Sequence, residues 1–108
     1  MTAHEILIAA KQELLTRGWH QGGLLDPVTG AVCALGAMSC AVGALSLAGL
    51  RALEGFDRAT FCLQNALGVE PVWGIGAWND EPARTPEEVL QAFDRAIALA
   101  ETREAVTA

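Results

Sequence analysis

The chain has 108 residues, 52% of them hydrophobic and 19% charged, and its 13 acidic against 7 basic side chains leave a formal net charge of -6. This size suits one domain that removes roughly two thirds of its unfolded surface from water, and the composition is too apolar for a disordered chain. No Lys/Arg cluster occurs, so the electrostatic footprint of a nucleic-acid binder is missing and neither DNA nor RNA is expected as a partner.

The first local signal is Thr2-x-x-Glu5, a capping box that predicts a helix from Ala3. Ala3, Ile6, Leu7, Ala10 and Leu14 form its apolar stripe, opposite Glu5, Gln12, Glu13 and Thr16. Gly18 is expected as a left-handed residue past the helix, with Trp19 packing back onto Leu14 in a Schellman motif. From His20 to Val32, Asp26-Pro27 sets a turn that Gly30 completes at positive φ, predicting a short hairpin or tight loop.

Ala31 to Leu50 then runs for twenty residues without a charge, rich in Ala, Gly, Ser and Cys. Such a run either spans a membrane or fills the centre of a bundle. The amphipathic helices at both ends of the chain need an apolar partner in water, and small residues gain little from lipid, so a bundle core is expected and no membrane. Its glycines at 36, 43 and 49 let neighbouring backbones approach closely. Gly43 divides it into helices over about Cys33–Val42 and Ala44–Leu53, the second ended by Gly55.

Asp57 reads as the N-cap of a further helix carrying Phe61, Leu63, Ala66 and Leu67, closed by Gly68 with Val69 as its hydrophobic contact. Glu70 to Arg84 holds two prolines, two glycines and two tryptophans without period, predicting an ordered loop pinned by aromatic docking. Thr85-Pro86-Glu87-Glu88 starts the last helix, buried along Val89, Leu90, Phe93, Ala96, Ile97 and Ala100, with a frayed end after about residue 103. The fold class is therefore all-α, a bundle of four or five helices around the small-residue run, in one domain.

Three separated cysteines without C-x-x-C spacing, in a chain that opens on no signal peptide, point to a reducing cytoplasm. Two histidines and unpaired cysteines offer no ligand set, so no metal and no cofactor are expected. Cys33 at the entrance of the central helix is a candidate nucleophile, since a helix N-terminus lowers a thiol pKa. His20 is its candidate base, and Asp80 or Asn79 could orient it. Trp19, Trp73 and Trp78 stand beside groups able to hydrogen-bond, namely Gln21, Asn79, Asp80 and Arg84. Together these seven are the candidate ligand contacts, with indoles to stack on a base and Arg84 to meet an anion. The structural alternative has the indoles cover the bundle ends while Asp80 accepts loop amides and pairs with Arg84.

Gly18-Trp19-x-Gln21-Gly22, Cys33-Ala34-Leu35-Gly36-Ala37, Trp78-Asn79-Asp80, Arg84-Thr85 and Glu88-Val89 together resemble a family of short proteins from actinobacteria, other bacteria and phages, a domain of unknown function. The phage setting implies a protein that binds a host protein or sequesters a small nucleotide-like signalling molecule, without catalysis. A cysteine hydrolase or transferase using Cys33 and a structural subunit of a homo-oligomer are the alternatives.

Overall fold

Helix α1 (Ala3–Arg17) starts where the sequence predicts, because Thr2 Oγ1 accepts from the Glu5 amide at 3.1 Å while Glu5 Oε1 accepts from the Thr2 amide at 2.9 Å. Its buried residues are Ala3, Ile6, Leu7, Ala10 and Leu14, the whole predicted stripe. The computed structural model describes residues 2–43, 53–69 and 72–107, apart from the side chains at 53, 54, 72, 73 and 104–107. Among these residues the chain forms α1, α2 (Ala34–Ala41), α3 (Leu53–Leu67), α4 (Val72–Asn79) and α5 (Pro86–Thr107), with no strand. This is the expected all-α bundle, and none of the described helices is long and apolar enough to cross a membrane.

Helix α1 is the hub, packed against α2, α3 and α5. Lys11 Nζ meets Asp94 Oδ1 at 2.6 Å and His4 Nε2 lies 3.9 Å from Glu101 Oε2. Seven residues up α1 thus correspond to seven down α5, which makes the two helices antiparallel. Such exposed pairs are worth about 0–1 kcal/mol. The weight falls on Ile6, Leu7, Met38, Leu63, Ile75 and Phe93, all fully buried in one cluster. Each contributes about 1.5–3 kcal/mol relative to exposure.

The central run supplies α2, with Cys33 as its N-cap and Ala34, Ala37 and Met38 in the core. It ends at Val42, followed by Gly43 at φ 65. The second helix expected over Ala44–Leu53 falls on residues 44–52, outside the described set. Helix α3 begins at Leu53 and carries both Gly55 and Asp57 within it, so Gly55 ends no helix and Asp57 caps none. Burial of Ala59, Cys62 and Leu63 in the core overrides that local cap signal. Its other end follows the sequence. Gly68 takes φ 73, the Val69 amide donates to the Gln64 carbonyl at 3.0 Å, and the Gly68 amide to Asn65 at 3.3 Å, a Schellman motif.

The long loop expected over Glu70–Arg84 is mostly helix. Residues Val72–Asn79 form α4, with Ile75 and Asn79 fully buried, and only 80–85 remain as the connection to α5. Helix α5 starts on its predicted cap: the Glu88 amide donates to Thr85 Oγ1 at 3.3 Å, and the Thr85 amide to Glu88 Oε1 at 3.0 Å.

Candidate functional site

Between α1 and α2 the chain forms a strap, residues 18–33, laid across the end of the bundle. Gly18 has the predicted positive φ, 91°, but its ψ of 164° is extended rather than left-handed helical. Only glycine enters that region readily, and it sends the chain off α1 as a straight segment instead of a Schellman turn. The His20 amide donates to the Val32 carbonyl and the Val32 amide to the Gly18 carbonyl, each at 3.0 Å, in a parallel bridge at Trp19. Leu25 pairs with Val32 from the other side, antiparallel. At the tip, Asp26 Oδ1 accepts from the Val28 amide at 2.8 Å and Gly30 turns at φ 79, as Asp26-Pro27 and Gly30 predict.

The strap closes on Asn79, the last residue of α4. Its Oδ1 accepts from Trp19 Nε1 at 2.7 Å and from the Ala34 amide at 3.0 Å. Its Nδ2 donates to the His20 carbonyl and to Asp80 Oδ1, both at 3.1 Å. One carboxamide thereby ties the exit of α1, the start of α2 and the end of α4 together. Gln21 Nε2 adds bonds to the carbonyls of Asn79 at 3.0 Å and Glu81 at 2.8 Å, and Asp80 Oδ1 accepts from the Gly22 amide at 3.0 Å. Among the described residues, no buried side-chain nitrogen or oxygen lacks a partner.

Gly36 completes the latch. A Cβ built there would fall inside the carbonyl of Leu24, so the strap backbone lies directly on α2. This is the close approach for which the sequence offers a glycine. Trp78 and Arg84 form a second, adjoining pair: the guanidinium stacks 3.8 Å over the indole while its Nε donates to the Trp78 carbonyl at 3.0 Å. Arg84 Nη1 reaches Glu88 Oε2 at 3.0 Å, so its carboxylate partner is Glu88 one turn along α5 rather than Asp80.

Trp19, Gln21, Asn79 and Asp80 are thus in one cluster, with Trp78 and Arg84 beside it. The side chain of Trp73 lies outside the described residues. Sequence reasoning misses the backbone partners, the His20 carbonyl and the Gly22 and Ala34 amides, because a backbone group carries no mark of residue type.

Residues 1–99 match a family of unknown function (DUF6197). The chain belongs to DUF6197. No curated protein and no solved structure matches it.

In this DUF6197 chain Cys33 is a cap, buried to 5% exposure, its Sγ accepting from the Gly36 amide at 3.3 Å. Burial pushes the thiol above its ordinary value and outweighs the amide hydrogen bonds from Gly36 and Leu35, which act in the opposite direction; the nearby Asp80 charge raises it further. Asp80 itself is held below the usual carboxylate range, first by the Gly22 amide, then by the Asn79 side chain, with a smaller contribution from His20. Among the described residues, no group of three His, Cys, Asp or Glu side chains is placed to hold a metal ion.

Proposed function

We propose that this DUF6197 chain is a non-catalytic binding protein whose partner is another protein, met by the outer side of the strap. The observation that supports this is the strap's tip. Leu24, Leu25 and Val28 stand 55%, 48% and 90% exposed on one short segment. Grouped exposed aliphatics mark interaction surfaces more often than scattered ones do. Beneath them the polar side chains are engaged within the chain, so the latch serves as a frame that fixes the loop it presents. In the phage setting suggested by the resemblance, the partner would be a host protein.

A nucleotide-like ligand has less support. Arg84 covers the Trp78 face on which a base would stack, and the Trp19 indole N–H is used by Asn79. Catalysis by Cys33 and His20 has less again, since a nucleophile needs a thiolate and burial opposes one.

The test is the double variant Leu24→Ser/Val28→Ser, at exposed positions where far-UV circular dichroism should stay unchanged. Wild-type protein cross-linked in its native host should give a discrete heterocomplex that the variant fails to form. A heterocomplex that survives the substitutions refutes this surface. A dimer of the pure wild-type protein that the variant dissolves replaces the proposal with the homo-oligomer.

A further inference from the structure

Helices α1 and α5 lie side by side and antiparallel, and the seam along their outer side has matched levels. Lys11 Nζ meets Asp94 Oδ1 at 2.6 Å, which fixes the register. Ile8, three residues before Lys11, therefore stands level with Ile97, three after Asp94, and Leu15, four after Lys11, stands level with Leu90, four before Asp94. Steps of three and four residues keep each set on one side of its helix. Ile8 and Leu15 are 40% and 55% exposed, although the core stripe of α1 is already complete in Ala3, Ile6, Leu7, Ala10 and Leu14. Leu90 and Ile97 are only half-buried against the core.

The middle of the seam is balanced in charge. Lys11 and Asp94 neutralise one another there, and the next positions outward, Gln12 on α1 and Gln91 and Ala98 on α5, are exposed and uncharged. Two copies of a chain whose formal net charge is -6 repel one another as wholes. A strip with one cation, one anion and an apolar level on either side is where that repulsion is least.

We infer that a second copy of this chain docks on the α1–α5 seam, related to the first by a twofold axis parallel to the two helices. That rotation keeps every level and exchanges the two sides, so α1 of each copy lies on α5 of the other. Lys11 of one copy then faces Asp94 of the other, Ile8 faces Ile97, and Leu15 faces Leu90. A twofold axis across the helices would set Lys11 against Lys11 and Asp94 against Asp94, so charge selects the first arrangement. The 15 residues of α1 and the width of two helices give a face of about 22 by 20 Å. Two such faces cover roughly 900 Å², below the about 1,200 Å² of stable interfaces, which makes this a weak, concentration-dependent dimer. The seam shares no residue with the strap, so it stands whether or not the heterologous reading of the strap does.

Sedimentation velocity of the full chain, from micromolar to millimolar concentration, tests this. The weight-average sedimentation coefficient should rise towards that of a dimer. Lys11→Glu makes the centre of the seam wholly acidic and Asp94→Lys makes it wholly basic, so each variant alone should associate about tenfold more weakly. An equimolar mixture of the two should restore the dimer, because an acidic centre then meets a basic one; a purely structural role for the pair gives no such rescue. Ile8→Ser/Leu15→Ser should abolish association with far-UV circular dichroism unchanged, and it decides the matter if either charge variant loses helicity. A monomer at every concentration, a mixture that stays monomeric while both charge variants remain folded, or association undiminished in Ile8→Ser/Leu15→Ser overturns the inference. A dimer dissolved by Leu24→Ser/Val28→Ser but intact in the seam variants also overturns it, and places the contact on the strap.

Discussion

Asn79→Ala removes the carboxamide at the centre of the latch and leaves its partners in place. The Ala34 amide is buried and loses its acceptor outright, while Trp19 Nε1 and the His20 carbonyl belong to half-buried residues that water can partly reach. An orphaned buried group costs about 1–3 kcal/mol, so one full penalty and two at about half of it come to about 2–6 kcal/mol. That is a large share of the roughly 5–15 kcal/mol typical of a domain, and urea unfolding followed by far-UV circular dichroism should show the midpoint fall steeply. Trp19→Phe deletes one donor and should cost less, and in the double variant the two losses should sum to less than their separate values because they share a bond. A loss below about 1 kcal/mol for Asn79→Ala, the ordinary effect of a point change, would refute the latch.

Gly36→Ala should destabilise by about 1–3 kcal/mol or more as the new methyl drives the Leu24 carbonyl off α2. Gly76→Ala, a helical position whose Cβ would touch, among the described residues, only Leu35 Cδ1 at 3.9 Å, should instead stabilise by about 0.5–1 kcal/mol. The same unfolding assay checks both signs. Because the Gly22 amide and Asn79 hold the Asp80 carboxyl down in the folded chain, its contribution is complete above the ordinary Asp pKa of about 3.9 and is lost as pH falls through the depressed folded value. Asp80→Asn should therefore flatten the acid limb of stability against pH, and an unchanged limb would contradict the assignment. Iodoacetamide at pH 7, read by peptide mass spectrometry, should modify half-buried Cys40 well before buried Cys33 and Cys62; prompt labelling of Cys33 would revive a nucleophilic role.

The parts of the fold legible in the sequence are those held by neighbours in sequence. Thr2 with Glu5, Thr85 with Glu88, the Gly68–Val69 end and the Asp26 turn each satisfy amides within a few residues, so residue type and spacing carry the information. Helix α4 is different. Its glycines and tryptophans show no period, and burial of Ile75 and Asn79 against elements distant in sequence decides its conformation. Pro71, just ahead of it, is the one helix-start signal available. Asp57 misleads for the same reason in reverse, since a good cap residue is overruled by packing on both sides of it. Trp19, Gln21, Asn79 and Asp80 stand out as a set because indoles and carboxamides are costly to bury without partners. Their roles stay hidden because those partners include backbone groups from three separate elements.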